Sequence, residues 1–124
     1  MKNLRPIDGE RSDAVPKNDG RNAPRKKLSV VIPVYCEEDS IDIVLERVLE
    51  VVIPLELEII IVDDASSDRS PEIIRALGKK HPQIKTAFHD KNQGKGAALR
   101  TGFSLVTGDT VVIQDADLEY NPSD

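Results

Sequence analysis

The chain of 124 residues has one cysteine, no tryptophan and few aromatic residues. A single cysteine, Cys36, cannot form an internal disulfide bond, which is typical of proteins from a reducing compartment. No apolar run approaches the roughly 20 residues of a membrane-spanning helix, and the N-terminus lacks the apolar core of a signal peptide. We therefore expect a soluble, cytoplasmic protein with a single domain.

The distribution of charge divides the chain into two parts. Residues 1–27 carry eight basic and four acidic side chains, whereas residues 28–124 carry nine basic and eighteen acidic ones, a net charge of −9. The first part lacks apolar periodicity, so we predict a disordered leader over 1–27 and a folded domain over 28–124. A domain with this net negative charge repels the phosphate backbone of nucleic acids. A phosphorylated substrate would need a divalent cation to screen its charge.

Apolar runs and helix-like spacings alternate from Leu28 onward. The short apolar runs predict buried strands, and the segments between them have the apolar spacing of amphipathic helices. Strands are predicted at 28–34, 57–62, 84–88 and 110–114, and helices at 41–52, 70–78 and 97–106. This β-α-β-α-β-α-β order predicts an α/β, Rossmann-like fold in which helices cover both faces of a parallel sheet.

Polar segments follow all four predicted strands. Because the carboxyl ends of parallel strands share one edge of the sheet, we expect these segments to converge where ligands bind in open α/β folds. After the fourth strand, Asp115 and Asp117 are two residues apart and should point the same way. With Glu119, they offer the oxygen ligands that Mg²⁺ or Mn²⁺ takes when it is shared with a phosphate. A solvated acidic turn remains the alternative for this pair alone.

The segment after the first strand excludes a dinucleotide-binding fingerprint. That fingerprint requires Gly-x-Gly-x-x-Gly directly after the strand, whereas residues 33–38 read Pro-Val-Tyr-Cys-Glu-Glu. Bulky and acidic side chains keep a pyrophosphate away from the backbone. The sequence therefore predicts a nucleotide site of another type.

Four motifs follow one another along the chain: SVVIPVYCEE at 29–38, IVDDASSD at 61–68, NQGKG at 92–96 and DAD at 115–117. In this order and spacing they resemble the family 2 glycosyltransferases of GT-A fold, and are most similar to the polyprenyl-phosphate (dolichyl-phosphate) mannose or glucose synthases. The one departure is Cys36, where that family usually has asparagine. The chain would supply the N-terminal, donor-binding half of such a domain, with the acceptor half expected beyond Asp124.

The resemblance implies specific roles for the residues of these motifs. The catalytic residues would be Asp115 and Asp117, which with Glu119 would also bind the metal. His81 and His89 match no motif and are interpreted as structural. The residues implied in binding the nucleotide sugar are Pro33, Val34, Tyr35, Glu37, Val62, Asp64, Lys95, Asp115 and Ala116.

The reaction that the resemblance implies transfers a hexose, with inversion, from a donor of the GDP-mannose or UDP-glucose type. The acceptor would be a polyprenyl phosphate at the cytoplasmic face of a membrane. Such an acceptor is already an anion, so positioning would matter more than a general base.

Two other functions fit parts of the sequence. A receiver-type signalling module also has an acidic pair after its first strand, as at Asp63 and Asp64, but it would leave residues 28–52 outside the domain. A non-catalytic nucleotide-binding fragment is the other alternative. The fourth strand would then present an unpaired apolar edge, which favours self-association, for instance as a homodimer.

Overall fold

The computed structural model describes residues 26–117, which form seven elements of secondary structure. Most of the predicted leader over 1–27 and the predicted metal ligand Glu119 lie outside the described residues. Lys27 is already the first residue of a strand. The elements are β1 (Lys27–Val34), α1 (Ile41–Leu49), β2 (Glu56–Asp63), α2 (Ser70–Lys80), β3 (Ile84–Phe88), α3 (Lys95–Leu105) and β4 (Thr110–Ile113).

The four strands form one parallel sheet in the order β3-β2-β1-β4. The chain builds the sheet outward from β1 through β2 to β3, and then crosses back to add β4 on the other side of β1. The predicted α/β fold with a parallel sheet is confirmed. The reversal of direction lies between β1 and β4, and in open α/β folds such a switch point is where ligands bind.

Helices cover both faces of the sheet, as predicted. On one face, α1 and α2 enclose a core that includes Ile32, Ile61 and Ile74, all fully buried. On the other face, Val31 packs beneath α3. The close approach of α3 depends on Gly102, where an added Cβ would lie 2.5 Å from Cγ1 of Val31. Among residues 26–117, no helix has the length and apolar character needed to cross a membrane.

Four helix ends differ from those predicted, two of them at the ends of α2 and α3, which lie at Lys80 and Leu105 instead of 78 and 106. Helix α1 ends at Leu49 instead of Val52, whose side chain is 96% exposed. Val51 is also 55% exposed, so the last apolar positions of the pattern gain no burial from a helical turn, and the helix ends before them. Helix α3 begins two residues early, at Lys95, because Gly94 acts as its N-cap with a φ of 96°, a conformation suited to glycine.

Candidate functional site

A cavity of about 840 Å³ lies at the carboxyl edge of the sheet, beside the switch between β1 and β4. Most of the residues predicted for the site line it. Those residues are Pro33, Val34, Tyr35, Glu37, Asp64, Lys95, Asp115, Ala116 and Asp117. Four more residues, to which no individual role was predicted, also line it: Asn92, Gly94, Ala98 and Gln114. The two in the 92–96 motif were recognisable from their position in it, whereas nothing in the sequence singled out Ala98 or Gln114.

Two predicted site residues are not among those lining the cavity. The side chain of Val62 is fully buried in the core beneath α3, so it is not available to a ligand. Glu119 lies outside the described residues. Within 26–117, no three histidine, cysteine, aspartate or glutamate side chains form a cluster that could hold a metal ion. The predicted set of three carboxylates, which includes Glu119, therefore stays a prediction.

The segment after β4 alternates between solvent and core. Asp115 and Asp117 are exposed, whereas Ala116 between them is buried. The hydroxyl of Ser40, at the start of α1, donates a hydrogen bond of 2.6 Å to the carbonyl oxygen of Ala116. This hydrogen bond connects the segment after β4 to the start of α1. Both carboxylates consequently line the cavity, in keeping with their spacing in the sequence.

A lysine pairs with one of these carboxylates. Nζ of Lys95, the first residue of α3, lies 2.6 Å from Oδ1 of Asp115, and both side chains are 59% exposed. Asp115 therefore already attracts a positive charge. The oxygens of Asp115 and Asp117 are also the hard donors that Mg²⁺ and Mn²⁺ prefer. The chemistry of this pair fits a divalent cation whose remaining ligands come from a substrate phosphate.

The carboxylate of Asp64 holds the loop that precedes α3. Its Oδ1 accepts the N–H of Gln93 at 2.9 Å, and its Oδ2 accepts the N–H of Gly94 at 2.8 Å. Burial raises the pKa of Asp64, but the hydrogen bonds from Gln93, His89 and Gly94 outweigh burial and lower the pKa below its ordinary value. Asp64 is thus ionised at neutral pH, and both of its oxygens are engaged by the protein.

His89, which matches no sequence motif, makes two side-chain contacts. Its side chain is 8% exposed, and Nδ1 lies 2.7 Å from Oδ1 of Asp64. Nε2 lies 2.8 Å from Oγ1 of Thr101 in α3. The histidine is structural, as interpreted, in that it is not among the residues that line the cavity. It does, however, contact a predicted site residue directly, and no motif in the sequence indicated this.

The turn between β1 and α1 forms another wall of the cavity. Tyr35 is 51% exposed, and Glu37 follows it along the lining. Cys36 between them has a φ of 55°, in the left-handed region, and its N–H donates to Oγ of Ser66 at 2.8 Å. Asparagine tolerates this conformation better than most residues do. The backbone thus gives a physical reason for the asparagine usual at this position in the resembled family.

Comparisons with known proteins agree on the family to which this chain belongs. The family model described as "Glycosyl transferase family 2" matches residues 29–124. An undecaprenyl-phosphate 4-deoxy-4-formamido-L-arabinose transferase from Photorhabdus laumondii is 43% identical over 102 residues, covering 80% of this chain and 31% of the relative. The protein of the same name from Pectobacterium carotovorum is 41% identical with the same coverage. The chain thus spans about a third of the length of these curated relatives.

Two solved structures have a similar fold over about three quarters of this chain. A mannosyltransferase from Pyrobaculum calidifontis in complex with GDP-Man and Mn²⁺ superposes with a TM-score of 0.69 at 34% identity, over 76% of this chain and 28% of that one. Residues 1–349 of S. aureus TarS in complex with UDP-GlcNAc superpose with a TM-score of 0.67 at 28% identity, over 73% and 26% of the two chains.

Proposed function

The chain belongs to glycosyl transferase family 2, and from this premise we propose that it forms the donor-binding part of an enzyme that glycosylates a polyprenyl phosphate. One observation carries the proposal. The pair Asp115 and Asp117, the cationic Lys95 and the loop held by Asp64 line a single cavity at the β1/β4 switch point. The curated relatives, which are transferases named for undecaprenyl phosphate, support the choice of acceptor.

The walls of the cavity divide by chemistry into a nucleoside side and a phosphate side. Pro33, Val34 and Tyr35 provide an apolar and aromatic surface suited to a base and ribose. Glu37 can accept hydrogen bonds there. The phosphate side includes Lys95, whose ammonium provides the positive charge that a diphosphate needs. We assign Asp64 to positioning this side, because its oxygens already bind the loop.

Asp115 and Asp117 would hold a divalent cation, Mg²⁺ or Mn²⁺, with Glu119 as a further ligand. When bound, that cation would neutralise the negative charge that develops on the departing nucleoside diphosphate. Lys95 provides a second positive charge on the same side. Without these positive charges, the carboxylates lining the cavity would repel a diphosphate.

The transfer step depends more on how the two substrates are positioned than on proton transfer. A lipid phosphate is already an anion at neutral pH, so it can attack the anomeric carbon without a strong general base. The enzyme would then act at a membrane surface, where such lipids reside. We propose a hexose donor of the GDP-mannose or UDP-glucose type, supported by the nucleotide sugars bound to the two similar structures.

Calorimetric titration of the chain with GDP and with UDP tests the donor site. We expect measurable binding with Mn²⁺ present and little with EDTA. Asp117→Asn should lose the effect of Mn²⁺. Asp42→Asn removes the same charge from an exposed position on α1, outside the cavity, and should behave as wild type. Equal affinity with Mn²⁺ and with EDTA would contradict the metal's role, and no binding of either nucleotide would contradict the donor site itself.

A further inference from the structure

We propose that His89 is a positioning residue for the phosphate side of the cavity. By holding Asp64, it fixes the conformation of the loop 92–94. The loop in turn sets the direction of the chain at Lys95, which directly follows it. This inference rests on the proposed donor site, since the loop matters for function only if a diphosphate binds beside it.

His89 directly follows β3, and its backbone and ring contact the end of β2 and α3. Its backbone N–H donates to the carbonyl oxygen of Asp63, at the end of β2, at 2.9 Å. Its Nδ1 lies 2.7 Å from Oδ1 of Asp64, and its Nε2 lies 2.8 Å from Oγ1 of Thr101 in α3. Because the side chain is 8% exposed and both ring nitrogens have partners, the ring has little freedom to rotate. It therefore links the end of β2 to α3 rigidly.

The partners of the ring determine where its proton lies. An ionised carboxylate only accepts hydrogen bonds, so Nδ1 of His89 must carry a proton towards Asp64. The hydroxyl of Thr101 can either donate to Nε2 or accept from it. The contact to Asp64 consequently persists whether the imidazole is neutral or charged. In the neutral ring, the structure requires the tautomer with the proton on Nδ1.

The contact to His89 restrains a carboxylate that in turn restrains the loop. Oδ1 of Asp64 is shared by His89 and the N–H of Gln93, while Oδ2 holds the N–H of Gly94. Gly94 has a φ of 96° and immediately precedes Lys95. Without the imidazole, one restraint on the rotation of the Asp64 carboxylate is lost. The conformation of Gly94, and with it the direction of Lys95, would then be less well defined.

This arrangement predicts an effect confined to the phosphates. His89 is not among the residues that line the cavity, whereas Gly94 and Lys95 are. The nucleoside side at Pro33 and Tyr35 belongs to the end of β1 and the turn after it, so loss of His89 should leave it intact. A merely structural histidine would instead affect both parts of the ligand through general loss of stability.

The test compares His89→Ala, His89→Asn and the control His81→Ala, using GDP and guanosine with Mn²⁺. The asparagine amide nitrogen is as many bonds from Cα as Nδ1, so this variant can restore the contact to Asp64. We expect His89→Ala to weaken GDP binding about tenfold, as for loss of a hydrogen bond to a charged group, with guanosine binding unchanged. His89→Asn should recover most of the loss, and His81→Ala, at the end of α2, should show none.

Two measurements without nucleotide separate this inference from the proposed function. Long-range ¹H–¹⁵N spectra of the wild type should show Nδ1 of His89 protonated, and amide exchange at Gln93 and Gly94 should be faster in His89→Ala than in wild type. A neutral ring protonated on Nε2, unchanged exchange, or equal losses for guanosine and GDP would overturn the inference. If wild type binds no nucleotide, the proposed function fails, while the tautomer and the exchange rates still decide whether His89 positions the loop.

Discussion

The ammonium group of Lys95 lies 2.6 Å from Oδ1 of Asp115 and joins the start of α3 to the segment after β4. The two residues were predicted for one site from separate motifs, but the sequence did not indicate that they contact each other. The contact means that a metal ion bound by Asp115 has to compete with an ammonium group already present. Lys95 can therefore exchange its contact with Asp115 for one with the phosphates of a ligand.

Replacing Lys95 by methionine should change the affinities for metal and nucleotide in opposite directions. Without the ammonium group, Asp115 is free to bind Mn²⁺, and since an exposed ion pair contributes up to about 1 kcal/mol, the gain should not exceed about fivefold. GDP affinity should fall, because one positive charge on the phosphate side is lost. Mn²⁺ binding followed by electron paramagnetic resonance, and GDP binding by calorimetry, measure the two effects.

Lys91→Met is the matched control, since Lys91 is an exposed lysine that precedes the same loop and does not line the cavity. It changes the net charge equally and should alter neither affinity beyond a small general effect. Lower Mn²⁺ affinity in Lys95→Met would contradict the competition between Lys95 and the metal.

The sequence was sufficient to predict the order of elements, the parallel sheet and most residues of the cavity. These depend on local apolar periodicity and on the rule that parallel strands end at one edge, both of which can be read from the chain. The contact between His89 and Asp64 could not be predicted, because it depends on the position of β3 next to β2. Helix ends were misplaced where Gly94 starts α3 early, and where the exposed side chain of Val52 continues the apolar spacing without being buried.

Cys36→Asn should stabilise the chain. Cys36 has a φ of 55°, and asparagine adopts this left-handed conformation at lower cost. The N–H of Cys36 that bonds to Ser66 is retained in the variant. We expect the free energy of unfolding to rise by about 0.5–1 kcal/mol, a part of the cost of left-handed backbone, as measured by urea denaturation. Cys36→Val, which suits this φ least, should be destabilising, and a more stable valine variant would contradict the argument.

Glu58 predicts a dependence of stability on pH that does not involve the cavity. Its side chain is 4% exposed near the start of β2, where it accepts hydrogen bonds from Ser29, Lys85 and Thr107. Burial raises the pKa of Glu58, but these hydrogen bonds outweigh burial and hold the pKa far below its ordinary value of 4.5. The folded state thus favours the ionised form, which contributes stability above pH 4.5 that is lost as the pH falls below it.

Glu58→Gln should lower the free energy of unfolding at pH 7 by about 1–3 kcal/mol, because the amide keeps one acceptor oxygen but places an NH₂ donor where Oε2 accepts from Lys85 and Thr107. The difference from wild type should narrow as the pH falls below 4.5, where the unfolded state of wild type takes up the proton. Glu56→Gln, two residues earlier on the same strand and 56% exposed, should show neither effect. Denaturation curves at several pH values measure both, and a difference that widens in acid would reverse the predicted sign.

The exposed edge of the sheet predicts self-association through β4. Within residues 26–117, β4 pairs only with β1, and Val111, Val112 and Ile113 are 41%, 43% and 50% exposed. An apolar edge strand of this kind can pair with a second copy, and lysine on an edge strand opposes such pairing. We therefore expect sedimentation velocity to show a dimer that dissociates on dilution, and Val112→Lys to remain monomeric.

Val52→Lys makes the same substitution at a side chain that is 96% exposed, outside the sheet, and should dimerise like wild type. If wild type stays monomeric at high concentration, or if both lysine variants dissociate alike, the edge of β4 is not the interface.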